Sequence, residues 1–421
     1  VGLTPRLMGE HTPRLSGLAR QGACVPLHTV TPAVTCSVQS TLLTGQMPSG
    51  HGIVGNGWYF RDLAQVWLWR QSNHLVAGDK VWDAARRQDA SFTCAKMFWW
   101  YNMYARVDWS VTPRPLYPAD GRKILDVYSQ PAALAQRLKE QIGEFPFFQF
   151  WGPRSGLASS QWIARASRLV FDWHRPSLTL VYLPHLDYNL QRLGPDDPAV
   201  WKDVEAVDAV AGELAEHCLA AGARVIVLSE YGMTQVSGPV HINRVLREQG
   251  WIAVRPELGL EVLDAGASQA FAVADHQVAH VYVQDQERVP AVKAVLEQVP
   301  GIERVLDGPG KRELGLDHPR AGELVAISAP ERWFTYYYWL DDRVAPDFAR
   351  TVDIHRKPGY DPVELFVDPA LPLPAAKVAW TLLKKQLGFR YLMDVIPLDA
   401  GLVKGSHGRL TDAPAQGPLF L

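Results

Sequence analysis

The sequence predicts an α/β protein with a central, mostly parallel sheet, helices on both faces of that sheet, and an inserted α+β lobe. Segments 178–183 (LTLVYL) and 224–228 (RVIVL) are short apolar runs rich in β-branched residues, as expected of strands buried on both faces. Helical periodicity runs between them over 201–221. A strand, a helix and a second strand form a βαβ unit, which implies a parallel sheet.

Local signals along the chain predict the remaining elements. A helix is expected over 13–21, with Thr12 as its N-cap and Pro13 at its first position. The other predicted helices cover 38–43, 80–87 and 375–387, and the other predicted strands end at residue 5 or cover 92–98, 270–274 and 324–327. We expect residues 1–240 and 354–421 to form the core domain and residues 241–353 the inserted lobe.

The composition and net charge of the chain indicate which classes of protein are expected. The 421 residues are 47% hydrophobic and 20% charged, which is ordinary for a globular chain. The net charge of −2 gives no basic surplus, so we expect no nucleic-acid polymer as a partner. No apolar run is long enough to predict a transmembrane segment. Four cysteines without metal or CxxC spacing predict neither a disulfide framework nor a cysteine metal site.

The role of the tryptophans and the cellular location of the protein are two points on which the sequence leaves alternatives open. Several of the 15 tryptophans lie within residues 58–109, where filling of the core is favoured over a stacking site. The chain begins at Val1 without a methionine, so we expect sequence upstream of it. A cytoplasmic protein is favoured, and a secreted or periplasmic one stays open. The sequence predicts no particular oligomeric state.

The strongest chemical signal lies in the stretches 32–45 (PAVTCSVQSTLLTG) and 48–56 (PSGHGIVGN). Thr35 precedes a predicted helix, so its hydroxyl would lie beside free backbone N–H groups and the positive end of the helix dipole. This position suits both an alkoxide and an incoming phosphate. A neighbouring divalent cation would lower the hydroxyl pKa enough to make it a nucleophile. The alternative is that Thr35 only caps the helix.

Together these stretches resemble the nucleophile region of the nucleotide pyrophosphatase/phosphodiesterase family of the alkaline phosphatase superfamily. The shared pattern is a threonine, a helix that ends in Thr-Gly nine residues later, and a P-x-x-H-G-I-x-x-N stretch. The resemblance covers about the first 60 residues and the segments around 178–235 and 400–410. It implies an alkaline-phosphatase-like fold, Thr35 as nucleophile, and Asn56 as a hydrogen-bond donor to a phosphoryl oxygen.

The resemblance also implies divalent metal ligands at the carboxyl ends of later strands. Asp187, after the strand LTLVYL, falls on a family aspartate, and His407, in Gly-Ser-His-Gly, falls on the final family histidine. Glu230 falls on another family aspartate, and a glutamate can still bind a hard or borderline cation. The metal implied is zinc, and whether one or two ions are bound stays open.

Three ligand positions depart from the family pattern. Gln191 and Tyr231 fall on family histidines, and Val1 falls on the first family aspartate. A glutamine is a neutral oxygen ligand, and a tyrosine is a poor zinc ligand unless it is ionised. The sequence offers possible substitutes, which are His185, His241, Asp275, His276 and His280.

Two further groups of residues carry weaker predictions. His276 and His280 share parity on a predicted strand, so both could face one side, although a structural role is favoured over metal binding. Tyr59, Phe60 and Arg61 follow Asn56 closely and could line a leaving-group pocket, where an aromatic ring would stack on a nucleobase. Packing in the core is at least as strongly expected for these three residues.

We therefore expect a phosphoric ester hydrolase, namely a metal-dependent phosphodiesterase or nucleotide pyrophosphatase that acts through a phospho-enzyme. Its substrate would be small and phosphorylated, either a nucleotide or another phosphodiester. A phosphomonoesterase or a phosphotransferase is a close alternative on the same scaffold. The ligand departures motivate another alternative, a non-catalytic phosphate-binding member. Dehydrogenases and other cofactor-dependent α/β enzymes are disfavoured, since the chain has neither a GxGxxG after a strand nor a P-loop.

Overall fold

The computed structural model describes residues 1–421, in which 12 helices and 18 short strands are joined by loops and 3₁₀ turns. The helices are α1 Pro13–Gln21, α2 Thr35–Thr44, α3 Pro48–His51, α4 Val81–Gln88, α5 Ala133–Ile142, α6 Leu157–His174, α7 His185–Leu193, α8 Trp201–Ala220, α9 Ile242–Glu248, α10 Val289–Leu296, α11 Gly308–Glu313 and α12 Pro374–Gln386. None combines the length and the apolar character that a membrane-spanning helix needs.

The strands are β1 Val25–Pro26, β2 Gly57–Phe60, β3 Gln65–Leu68, β4 Cys94–Met97, β5 Trp109–Pro113, β6 Val127–Gln130, β7 Leu178–Val181, β8 Thr234–Gln235, β9 Gly238–Val240, β10 Val254–Glu257, β11 Leu260–Leu263, β12 Ala270–Asp275, β13 Val278–Val283, β14 Ile302–Leu306, β15 Leu324–Ser328, β16 Arg332–Phe334, β17 Gly405–Ser406 and β18 Leu419–Phe420. Their bounds agree with the predicted strands over 92–98, 178–183, 270–274 and 324–327, whereas the first residues of the chain form no strand.

A central sheet with strand order β6-β5-β4-β7 is covered on both faces. Strand β4 pairs in parallel with β5 and β7, and β6 is an antiparallel edge strand. Successive side chains of β4 point to opposite faces, as the pleat requires. Cys94 packs with Leu43 of α2 and Trp82 of α4, while Ala95 and Met97 pack with residues of α5 and α6. The predicted mostly parallel sheet between two helical layers is therefore present.

The predicted strand over 224–228 is wrong. This segment is irregular and lies antiparallel to the C-terminal residues, where the backbones of Val227 and Leu421 exchange hydrogen bonds of 2.9 and 2.8 Å. Ile226 is 57% exposed, so the apolar run is not buried on both faces. The parallel neighbour of β7 is β4, which precedes it by more than 80 residues.

Two local predictions that concern the site also change. Helix α2 begins at Thr35 rather than at residue 38. The prediction began late because the first three residues of the helix are small and polar and show no apolar periodicity. Residues 185–187, where the sequence predicts only the carboxyl end of a strand, form the first turn of α7. As a result Asp187 lies on a helix.

A second sheet, fully antiparallel with order β12-β13-β15-β14, lies within the predicted inserted lobe. Its buried strands share one hydrophobic core with Ile53, Trp58 and the aromatic residues 333–339. This shared core fixes the sheet against the loop that carries Asn56. The division into a core domain and an inserted lobe stays a prediction.

Candidate active site

Thr35 is the first residue of α2 and is only 3% exposed. Val34 provides the N-cap with an extended backbone, and Gly45 ends the helix in a left-handed conformation with φ of 66°. The first-turn N–H groups of a helix have no partners within it, so Thr35 lies where an anion is favoured. Its Oγ1 lies 3.3 Å from the phenol oxygen of Tyr231.

Asp187 accepts hydrogen bonds from two neighbouring side chains. Gln191, one turn later on α7, donates its Nε2 to Oδ2 at 2.6 Å, and Tyr231 donates its hydroxyl to Oδ1 at 3.1 Å. Burial nevertheless raises the pKa of Asp187 to about 6, because both donors are neutral and only partly offset the loss of solvation. Burial also raises the pKa of Tyr231 well above its usual value, so this phenol is protonated.

His407 follows β17 and stacks face to face on Tyr231, with ring centroids 3.6 Å apart. Its Nδ1 lies 2.8 Å from the carbonyl oxygen of Ala33, and a carbonyl can only accept, so Nδ1 carries a proton. Burial lowers the pKa of His407 to about 3, which leaves Nε2 unprotonated. The lone pair of Nε2 is therefore available 3.8 Å from Oδ1 of Asp187.

Glu230 brings a second buried carboxyl to the site. Its Oε1 accepts a 2.6 Å hydrogen bond from Nε2 of Gln39, while its Oε2 is buried and has no hydrogen-bond partner. Burial raises the pKa of Glu230 to about 7, and the Thr35 hydroxyl is close enough to lower it in part. Gln39 was not among the predicted site residues, although its position one helical turn after Thr35 was a signal for it.

Three side chains of this cluster carry the types of donor atom that a divalent cation takes. Asp187, Glu230 and His407 offer two buried carboxyls and one imidazole with a free Nε2. They do not form a preformed shell of three converging ligands. Gln191 and Tyr231, at two of the positions where the family pattern has ligands, are engaged with Asp187 and with other neutral groups.

Asn56 is fixed by groups on both sides of its amide. Its Oδ1 accepts the backbone N–H of Cys36 at 3.1 Å, and its Nδ2 donates to Oδ1 of Asp275 at 3.0 Å. The backbone N–H of Asn56 donates to the other oxygen of Asp275 at 2.7 Å. Asp275 therefore clamps Asn56 beside the start of α2, and one hydrogen of Nδ2 remains for a ligand.

The chain matches the family model for type I phosphodiesterase / nucleotide pyrophosphatase over residues 1–361. The chain belongs to this family. Its members are phosphoric ester hydrolases that are typically dependent on divalent metal ions, so the resemblance and the enzyme class predicted from the sequence are confirmed at the level of the family.

This phosphodiesterase-family chain is similar to a curated protein over part of its length and to several solved structures. It is 26% identical to an uncharacterized pyrophosphatase/phosphodiesterase of Schizosaccharomyces pombe over 237 residues, which span 54% of this chain and 41% of the yeast protein. Phosphonoacetate hydrolase from Sinorhizobium meliloti, in complex with phosphonoformate, has 16% identity and a TM-score of 0.58, with 98% of this chain and 84% of that chain covered.

A further solved structure is murine ectonucleotide pyrophosphatase/phosphodiesterase 5, an inactive threonine-to-alanine variant in complex with AMP. It has 15% identity and a TM-score of 0.56, with 100% of this chain and 84% of that chain covered. At such identities these structures show the fold alone. The predicted alkaline-phosphatase-like α/β fold is thereby confirmed.

Three of the proposed substitute ligands lie in other surroundings in this family member. Nε2 of His185 is 2.9 Å from a carboxylate oxygen of Asp203 on α8, and Nδ1 of His241 is 2.8 Å from the hydroxyl of Thr335. His280 lies between two backbone groups, with Nε2 2.8 Å from a carbonyl and Nδ1 accepting an N–H at 3.2 Å. His280 therefore has no ring nitrogen left for a metal.

His276 does not share a strand with His280, so the predicted common face is wrong. It lies in the turn between β12 and β13 with a left-handed φ of 60°. Its ring lies between those of His407 and Tyr360, with centroid distances of 3.6 and 3.8 Å. Tyr360 also donates its hydroxyl to Oε1 of Gln191 at 3.0 Å. No local pattern pointed to Tyr360, because its partners are far away in the sequence.

The three predicted substrate-binding residues contact protein side chains at the end of strand β2 and in the neighbouring antiparallel sheet. The ring of Tyr59 meets that of Tyr282 at 5.3 Å, and Phe60 stacks on Trp58 at 5.0 Å. The guanidinium of Arg61 pairs with Glu323 at 2.8 Å. All three are partly exposed or exposed, so a role at a substrate pocket stays a prediction.

Proposed function

We propose that this protein is a divalent-metal-dependent phosphodiesterase or nucleotide pyrophosphatase that uses Thr35 as its nucleophile and passes through a phospho-enzyme. The observation that carries the proposal is the position of Thr35 at the start of α2, in one buried cluster with Asp187, Glu230 and His407. In this arrangement the hydroxyl is the nucleophile and the helix N-terminus is the anion site. The carboxyl and imidazole groups are the cation ligands.

The protein groups around Thr35 have separate tasks in this proposal. The backbone N–H groups of Thr35 and Ser37 bind the phosphoryl oxygens, because that of Cys36 is held by Asn56, and the free Nδ2 hydrogen of Asn56 donates to one of these oxygens. A proton that leaves Oγ1 of Thr35 has a path along the contacts to the Tyr231 hydroxyl, 3.3 Å away, and then to Oδ1 of Asp187, 3.1 Å further. Both side chains are buried, so the path runs largely out of contact with solvent.

Asp187, Glu230 and His407 would hold the cation, with zinc the metal that the resemblance implies. When bound, the cation lowers the hydroxyl pKa of Thr35 and stabilises negative charge on the phosphoryl group. Because Gln191 and Tyr231 are neutral and occupied, we propose that one ion serves here where the family pattern provides ligands for two.

The proposed substrate is a small nucleotide or another phosphodiester. The AMP complex of the murine relative, in which a threonine is replaced by alanine, supports both the substrate class and a threonine nucleophile. Tyr59 or Phe60 would contact the base by stacking, and Arg61 would lie at the edge of the pocket.

A second candidate is a phosphate-binding protein without turnover. The hydrogen bonds from Gln191 and Tyr231 to Asp187 favour this candidate. At these two positions the family pattern has metal-binding histidines, whereas here both side chains are neutral donors to the carboxylate. Such a protein would bind a nucleotide and leave it intact.

The test is hydrolysis of the chromogenic diester bis(4-nitrophenyl) phosphate by the full chain, with zinc added or removed by chelator. We expect Thr35→Ala to lower kcat/KM by about 10³-fold or more, and Thr35→Ser to retain part of it. Ser40→Ala is the matched control, since it removes another buried hydroxyl of α2 that bonds only a backbone carbonyl. Turnover by Thr35→Ala at the rate of the unmodified protein would refute the nucleophile, and nucleotide binding without any turnover would establish the second candidate.

A further inference from the structure

Helix α12 and the residues after it present an unusual surface to solvent. Thr381 is the only buried residue of this helix, and Val378 packs beside it against the main core. The opposite side carries Trp380, Leu383 and Leu387, at helical spacings of three and four. The apolar stripe of an ordinary surface helix faces the core, whereas this stripe faces outward.

The apolar exposure continues beyond the helix. All 11 residues from 382 to 392 are exposed, and they include Phe389, which is 65% exposed, and Leu392, which is 48% exposed. Eight of the 25 large hydrophobic side chains that are exposed in this protein lie within residues 373–392. A concentration of this kind marks an interaction site, since single exposed apolar residues are normally scattered.

The same surface is strongly basic. Lys377, Lys384, Lys385 and Arg390 lie within residues 369–393, which contain no aspartate or glutamate, although the whole chain has a net charge of −2. Lys377 pairs with Asp394 at 2.9 Å, and the other three cations form no ion pair. We call residues 373–392 the basic apolar face.

Its basic and aromatic side chains lie next to each other. Nζ of Lys384 lies 5.6 Å from the ring centre of Trp380, and Nζ of Lys385 lies 5.6 Å from that of Tyr391. Long cationic side chains that cover aromatic rings bury their methylene stems in an apolar medium while the charge stays at its polar boundary. Tryptophan and tyrosine prefer the same boundary, because each ring has one polar edge.

We propose that the basic apolar face binds the surface of a lipid bilayer that contains anionic lipids. A helix with outward Trp and Leu residues, flanked by Lys and Arg, is the arrangement that lies in the plane of a membrane interface. The unpaired charges of Lys384, Lys385 and Arg390 complement anionic headgroups. A second copy of the chain fits less well, because a symmetric contact would bring these like charges together.

The experiment is cosedimentation of the full chain with vesicles of phosphatidylcholine alone and with vesicles in which phosphatidylserine is the minority lipid. We expect binding to the anionic vesicles that is at least about tenfold stronger than to the neutral ones and that weakens with added salt. Lys384→Glu/Lys385→Glu should lower the partition by about tenfold or more. Leu383→Ser/Leu387→Ser should lower it to a similar extent through lost apolar burial.

Matched controls alter equally exposed residues elsewhere. Lys123→Glu/Lys202→Glu makes the same charge change, and Leu258→Ser removes a fully exposed leucine, so neither should change the partition by more than about twofold. No vesicle binding, equal binding to both vesicle types, or an equal loss in the controls would overturn the proposal. So would a dimer that Leu383→Ser/Leu387→Ser dissociates in sedimentation-velocity runs, with no vesicle binding by either form.

Discussion

Lys357→Met should destabilise the fold more than the removal of any surface cation. Nζ of Lys357 lies 2.7 Å from a carboxylate oxygen of Asp361 and 2.8 Å from one of Glu364. All three side chains are at most 2% exposed. Glu364 also accepts hydrogen bonds from the indole of Trp151 and the backbone N–H of Asp353. The cluster therefore holds the segment that places Tyr360 against the site.

The expected magnitude follows from the burial of this cluster. A buried ion pair contributes little relative to apolar residues of the same size, but removal of one partner leaves the other charge desolvated at a cost of about 3–5 kcal/mol. In this cluster one cation serves two carboxylates, so we expect about 4 kcal/mol or more. Burial already raises the pKa of Glu364, which shows how weakly the surroundings would support its charge without the lysine.

Urea denaturation is a suitable assay. A loss of about 4 kcal/mol should lower the midpoint by roughly 1 M or more. Arg343→Met is the control, because Arg343 pairs with Asp341 but its side chain is 89% exposed, so its removal should leave the midpoint unchanged within error.

A triple variant separates the charge from the packing. Lys357→Met/Asp361→Asn/Glu364→Gln removes all three charges and should recover at least half of the loss. A midpoint for Lys357→Met within the error of the unmodified protein would refute the reasoning. A triple variant less stable than Lys357→Met would show that packing, rather than uncompensated charge, is responsible.

Three further predictions concern the loops around Thr35. Asp275→Ala frees the amide of Asn56 and should lower kcat about 10- to 100-fold in the diester assay, whereas the exposed control Asp62→Ala should not change it. Burial raises the pKa of Asp275 from 3.8 to about 6, so its contribution to the stability of the fold is present below about pH 4 and is lost as the pH rises through about 6. The free energy of unfolding, measured by urea denaturation, should fall by up to ~3 kcal/mol by pH 8. Asp275→Asn should abolish this pH dependence. Gly405→Ala would place a Cβ 1.9 Å from a backbone oxygen and should cost about 2 kcal/mol or more in thermal unfolding, whereas Gly17→Ala on α1 should stabilise by about 0.5–1 kcal/mol.

Local patterns in the sequence predicted the elements whose signals lie within the element. Helix α8 and strand β7 lie within two residues of their predicted bounds, since their apolar periodicity extends over their whole length. The start of α2 was predicted three residues late, because Thr35, Cys36 and Ser37 are small and polar. These side chains are buried, and they open the helix at the active site instead of facing a hydrophobic layer.

Patterns of this kind do not identify long-range partners. Segment 224–228 has the composition of a buried strand, yet its backbone pairs with Leu421, almost 200 residues later. Asp275 was predicted as a possible metal ligand, and its partner instead is Asn56, 219 residues away. In both cases the residue type predicted that a partner exists, either a neighbouring strand or a hydrogen-bond donor. Only the tertiary structure shows which residue that partner is.

The two departures from the family pattern at positions 191 and 231 are a single structural change. Each places a neutral donor on a different oxygen of Asp187, at 2.6 Å from Gln191 and at 3.1 Å from Tyr231. Histidine at either position would offer a lone pair to a cation, whereas an amide N–H and a phenol O–H can satisfy the carboxylate directly. The departures therefore act together on the aspartate that the chain retains. Nε2 of His407 and Oε2 of Glu230 keep free lone pairs, and with Asp187 they remain the proposed ligands of one ion.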